Sequence, residues 1–149
     1  MRRKRGIERN ALGRSRGGFS TKIHALVNTK GDPYFVSLTA GHRHESTAAL
    51  DLLEHARGKA FLGDAGYDSN ELIDQVRANE MKPVICPNKS RKNHKLKLDK
   101  KLYRKRFRVE VFFHRLKRFR AVASRYEKTA RSYLAVVHVA CMMLRLGWN

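Results

Sequence analysis

The sequence is poor in acids, in cysteine and in long apolar runs. Thirteen Asp and Glu stand against 33 Lys and Arg, a formal charge of +20 over 149 residues. A surface so short of carboxylates is not indifferent to polyanions, and nucleic acid is the first partner it suits. Sixteen of the basic residues fall between Lys82 and Arg120, so the excess is concentrated rather than spread. The two cysteines, Cys86 and Cys141, sit in apolar surroundings without metal-type spacing. They exclude a disulfide framework and read as buried thiols of a reducing compartment. The basic N-terminus is followed by glycines and polar residues, not by an apolar signal core. The most apolar stretch, Tyr133 to Leu146, is short and interrupted by His138 and Arg145, which fits a buried or interface helix better than a membrane span. These features predict a cytoplasmic, nucleoid-associated protein. A hydrophobic content of 42% suffices for one folded domain with a modest core. No internal repeat is visible.

Residues 1–18 carry many basic residues and several glycines without a hydrophobic period, and read as a basic arm able to track a phosphate backbone. Residues 19–149 form the remaining domain. Phe19 to Leu38 alternates around Asn28-Thr29-Lys30-Gly31-Asp32-Pro33, which predicts a β-hairpin. A helix follows, with Ala49, Leu52, Leu53 and Ala56 at helical spacing and Ser46 or Thr47 as the expected N-cap. His42 and His44, with Glu45 beside them, form an H-x-H pair before a helix, which is weak support for a structural metal; a loop that abuts DNA or the active site is the better reading. A short buried strand at Ala60-Phe61-Leu62 leads into Gly63-Asp64-Ala65-Gly66. Asp68 to Glu71 resembles a capping box that opens a helix over 71–80, with Asp68 as the expected cap. Lys82 to Cys86 predicts another short strand, bounded by Pro83 and Pro87. The segment NKSRKNHKLKLDKK that follows is a basic loop suited to DNA.

The most informative stretch is Tyr103 to Lys117, YRKRFRVEVFFHRLK. On a helix expected to run to about Ala123, Tyr103, Arg106, Glu110 and Lys117 fall within a stripe about 60° wide. Val109, Phe112, Leu116 and Phe119 form an apolar back. One face suits a core, and the other presents a single carboxylate among cations.

The spacing Y-x2-R-x3-E-x6-K resembles the signature of bacterial insertion-sequence transposases of the DDE type. The segment D-x-G-Y-D-S beginning at Asp64 resembles that family's second-Asp motif, and Val122 to Arg131 resembles the stretch after its helix. The resemblance covers nearly the whole chain. It implies an α/β, ribonuclease-H-like fold, a mixed sheet with flanking helices. It implies that Asp64 and Glu110 are catalytic metal ligands, and that Tyr103, Arg106 and Lys117 contact DNA phosphate. The implied cofactor is Mg²⁺, with Mn²⁺ able to substitute, because hard divalent ions prefer oxygen ligands. The implied partner is the double-stranded DNA of insertion-sequence ends, and the implied reaction is strand cleavage and transfer by two metals.

The family's first Asp has no counterpart here. Asp32 lies in a turn, Asp51 and Asp74 fall on expected helices, and Asp99 lies in the basic loop. The expectation is a C-terminal portion of the catalytic domain without the first, central strand, working as a homo-oligomer or with an upstream transposase segment. The alternative is a catalytically inactive DNA-binding fragment that occupies element ends or inhibits full transposase. A basic RNA-binding protein would explain the charge but neither acid motif.

Overall fold

The computed structural model describes residues 10–15, 18–92 and 96–148. In chain order the elements are β1 (Gly13–Ser15), β2 (Gly18–Val27), β3 (Pro33–Ala40), α1 (Glu45–His55), β4 (Ala60–Gly63), α2 (Asn70–Ala78), β5 (Lys82–Ile85), α3 (Lys100–Tyr103), α4 (Phe107–Leu116), α5 (Arg120–Ala123) and α6 (Ala130–Arg145). Single 3₁₀ turns lie at Ala65–Tyr67 and Arg104–Arg106. The fold is α/β and divides into two units, Met1–Arg43 with Arg108–Asn149, and His44–Phe107.

The first unit holds a three-stranded antiparallel sheet in the order β1-β2-β3. The expected hairpin forms where alternation and turn chemistry agree. The Asn28 side-chain oxygen accepts the backbone N–H of Lys30 and Asp32, at 2.9 and 3.0 Å, and Gly31 takes the positive φ of 94°. Pro33 opens β3, the strand position where a missing N–H is tolerated. Ile23, Ala25, Val27, Val36 and Leu38 share one face by the two-residue period and pack against Phe112, Leu116, Val137 and Leu144. Helix α6 presents Tyr133, Val137, Ala140, Cys141 and Leu144 to this core. It starts at Ala130, three residues before the expected Tyr133, because Thr129 caps it through the N–H of Ser132. Burial pushes the Cys141 thiol up to about 11, which keeps it protonated and inert.

Within the expected basic arm, Gly13–Ser15 pair with Gly18–Ser20 as strand β1. No side-chain alternation announces that strand, since it is held by backbone pairing to β2. Residues 1–9, 16 and 17 of the arm lie outside the described residues. The stretch from Val122 to Arg131 is fixed by Arg125. Its guanidinium donates to Thr21 Oγ1, and its Nε donates to the Glu127 carbonyl at 3.0 Å. It also lies over the Tyr133 ring, 5.0 Å from the centroid, while the Tyr133 hydroxyl donates to the Val122 carbonyl at 2.7 Å.

The second unit pairs β4 and β5 in parallel, with Ala60 to Gly63 opposite Lys82 to Ile85. Leu72, Ile73 and Val76 of α2 and Ala49, Leu52 and Leu53 of α1 are buried. Two expected caps differ. Helix α1 begins at Glu45 after His44, which makes no side-chain cap bond, and the Thr47 hydroxyl donates to the His44 carbonyl instead. Helix α2 is capped by Ser69, whose Oγ accepts the Leu72 N–H, and not by Asp68. Asp68 is taken by Arg91, a partner 23 residues away.

Helix α2 ends with the Met81 N–H reaching back to the Val76 carbonyl, the long bond of a Schellman closure. Glu80 occupies its left-handed position at φ 58°, where glycine is the unstrained choice. Glu80→Gly is therefore expected to stabilise the protein by about 1 kcal/mol. Urea unfolding checks this, and a lower midpoint would refute it.

Candidate active site

Asp64 stands at the carboxyl end of β4, where the buried strand gives way to the 3₁₀ turn. Its Oδ1 accepts the Gly66 N–H at 3.1 Å, so the carboxylate caps that turn. Its Oδ2 accepts a charge-assisted bond from Arg106 Nη2 at 3.2 Å. The Asp64 side chain remains 44% exposed. One carboxylate thus organises its own turn and holds a cation at a place solvent can reach.

Arg106 is brought there by a local departure from the expected helix. The run from Lys100 is helical, but Arg104–Arg106 tightens to 3₁₀ before α4 begins. At about 120° per residue, positions three apart eclipse. Arg106 therefore stacks over Tyr103, 5.9 Å from the ring centroid. Burial raises the Tyr103 phenol while Arg106 opposes the shift. The single helix expected to reach about Ala123 is also interrupted after Leu116. Phe119 stands in extended conformation and α5 restarts at Arg120. Periodicity alone does not separate one helix from three short helical pieces.

Of the five expected site residues, Asp64, Tyr103 and Arg106 meet in the second unit. Glu110 and Lys117 belong to the first unit, both exposed, on α4 and just beyond its end. Phe112 and Leu116, 2% and 0% exposed, turn the other side of α4 into the core, as the apolar back predicts. Val109 and Phe119 are half-buried.

Two further residues lie near Asp64: Tyr67, and Glu45 from the end of the loop that holds His42 and His44. A Cβ placed on Gly66 would lie 3.3 Å from Asp64 Oδ1 and 3.4 Å from Glu45 Oε2, so glycine lets two carboxylates approach one point. Tyr67 is within their electrostatic reach, and burial first, then Asp64 and Glu45, push its phenol up to about 12. Glu45 is nineteen positions earlier, on another helix.

A partly buried phenol with a raised pKa favours the folded state while it is protonated. That contribution is complete below the ordinary tyrosine pKa near 10 and is lost as pH rises from 10 towards 12. The loss is expected to reach about 2–3 kcal/mol. Phenolate absorbance should show a late component that Tyr67→Phe removes. If the variant leaves the titration unchanged, the late phenol is another tyrosine.

Among the described residues, no three His, Cys, Asp or Glu side chains converge in a way that could hold a metal ion. The donor chemistry of Asp64 nevertheless fits a hard cation. It offers carboxylate oxygens, is reachable from solvent, and already binds one positive group. An open groove of about 910 Å³ beside Leu53, Arg57 and Met81 contains none of the five residues. Among the described residues, no helix is long and apolar enough to cross a membrane.

The family described as the transposase DDE domain matches residues 4–145. A Brucella ovis protein named "Putative transposase for insertion sequence element IS6501" is 33% identical over 128 residues, covering 85% of this chain and 98% of the relative. No solved structure matches the chain. A match over nearly the full length, joined to a relative at this identity and coverage, places the chain in the family of DDE-type insertion-sequence transposases.

Proposed function

We propose that the chain acts in DNA strand cleavage and strand transfer at insertion-sequence ends, through Asp64 and Glu110 as carboxylate ligands of a divalent metal. The observation that carries this is the Arg106–Asp64 pair, in which a carboxylate at a strand end holds a cation beside an aromatic ring. Such an acid is already organised for positive charge. The wider frame of the reading is a ribonuclease-H-like fold with the family's phosphoryl-transfer chemistry.

Bound there, Mg²⁺ or Mn²⁺ would polarise the phosphoryl oxygens and lower the pKa of an attacking water or 3′-hydroxyl. The remaining work falls to side chains. Gly66 N–H fixes the orientation of the Asp64 carboxylate. Arg106 neutralises Asp64 and, stacked on Tyr103, is placed to exchange that carboxylate for a DNA phosphate oxygen. Lys117 supplies a second phosphate-binding charge. Glu110 supplies the second carboxylate from α4, on the opposite side from the core residues Phe112 and Leu116.

The test is nicking and joining of duplex DNA carrying insertion-sequence ends, with and without Mg²⁺ or Mn²⁺. The chain would be assayed alone and mixed with an upstream transposase segment. Metal-dependent cutting supports the proposal. Binding to those ends without cutting in either mixture leaves the inactive, end-occupying reading in its place.

A further inference from the structure

Residues 88–92 and 96–105 contain eight Lys and Arg and one acid, Asp99. The structure divides these cations into two groups. Arg91 is turned inward: its Nη1 bonds Asp68 Oδ1 at 2.5 Å and its Nη2 bonds Asn70 Oδ1 at 2.6 Å. The Asp68 side chain is only 4% exposed, and its second oxygen accepts the Asn88 N–H at 2.8 Å. The Asn88 side chain then accepts the Ser90 N–H, and the Arg91 N–H bonds the Asn88 carbonyl. The start of the segment is therefore pinned at side chain and backbone. Its far end is pinned as well, because Asp99 accepts the Leu102 N–H and is bonded by Lys82 Nζ at 2.6 Å. Those bonds hold the Asp99 carboxyl below its ordinary range.

Lys89, Lys92, Lys97, Lys100, Lys101 and Lys105 are exposed, and none of them is ion-paired among the described residues. The nearby acids Asp64, Asp68 and Asp99 are each already taken by Arg106, Arg91 and Lys82. Holding Asn88 to Arg91 and Asp99 to Leu102 in place before they meet a polyanion lowers the entropy lost on binding.

We infer that this strip is a phosphate-backbone binding surface for duplex DNA, and that the buried Asp68–Arg91 pair is its positioning device rather than a DNA contact. The choice of duplex DNA rests on the transposase reading; the division of the cations does not. An acid in the middle of a DNA-binding surface would ordinarily weaken it by repulsion. Here Asp68 strengthens it by holding Asn88 and Arg91 in place.

The experiment measures affinity for a duplex of arbitrary sequence against salt concentration, without divalent metal. Each contacted phosphate contributes about 0.9 to the slope of log affinity against log salt. The Lys100→Gln/Lys101→Gln double variant is expected to reduce the slope by about two. Arg91→Gln and Asp68→Asn should each weaken binding about tenfold at every salt while leaving the slope unchanged. Amide exchange at Asn88 should quicken in both, a readout that stands even where affinity is hard to interpret. Asp68→Asn is the sharpest arm, because it raises the net positive charge and still should weaken binding. Tighter binding by Asp68→Asn, or an unchanged slope in the lysine variant, overturns the inference. Stronger binding to single-stranded RNA than to duplex at equal salt overturns the choice of partner. Failure here, with metal-dependent nicking intact, would discard the strip and keep the transposase chemistry. The expected slopes without nicking would do the reverse.

Discussion

Asp64→Asn is expected to slow metal-dependent nicking by about a thousandfold. Metal stabilisation of a phosphoryl transition state is worth several kcal/mol, and each ~1.4 kcal/mol is tenfold in rate. Asn keeps the shape of the side chain, and its oxygen still accepts the Gly66 N–H, so the turn at Ala65–Tyr67 should survive. What disappears is the negative charge that Arg106 now neutralises. Affinity for DNA should therefore hold or rise while cutting is lost. Glu110→Gln is expected to show the same dissociation of binding from cutting, with little cost in stability, because Glu110 is exposed. Nicking rate and duplex affinity measured on the same preparations decide the matter. Cutting at the unaltered rate by Asp64→Asn would reduce that residue to a turn cap.

Phe112→Ala is expected to destabilise the protein by about 3–5 kcal/mol. Phe112 is 2% exposed and lies in the cluster that joins Leu116, Val122, Val137 and Leu144. It also packs against Phe113 at a tilt of 59°, with ring centroids 5.1 Å apart. Truncation leaves a cavity that a sheet-backed core closes only in part. Set against a typical stability of about 5–15 kcal/mol, this single change takes a large share. Thermal or urea unfolding measures it, and a loss under about 1 kcal/mol would mean that the core refills the space. The contrast with Glu110→Gln is the useful one. Two residues apart on α4, one substitution should remove stability and the other chemistry.

Much of this was legible before any coordinates. The hairpin was readable because alternation in β2 and β3 and the turn at Asn28 to Asp32 pointed to one answer. The place of Asp64 at a strand end was readable because a buried run broken by glycines ends where it stands. Three things were not. Strand β1 is built from Gly13, Arg14 and Ser15, and backbone pairing rather than side-chain pattern creates it. The 3₁₀ turn at Arg104–Arg106 is invisible to a periodicity argument, because two residue periods so close cannot be told apart over three positions. The role of Asp68 was misread because a capping sequence explained it locally, whereas its guanidinium partner is 23 positions further on. Local chemistry identified which residues carry charge. Only the fold assigned their partners.

The 3₁₀ turn before α4 also sets a phase. One residue inserted or deleted between Tyr103 and Arg106 would rotate the guanidinium by about 100–120° about the helix axis. It would then leave both the Tyr103 ring and the Asp64 carboxylate, although every chemical group remained in the sequence. The three-residue step in this chain thus works like the spacing of teeth on a gear. Length changes there should be as damaging as loss of the arginine itself, while similar changes within the exposed turn at Thr29 and Lys30 should pass almost unnoticed.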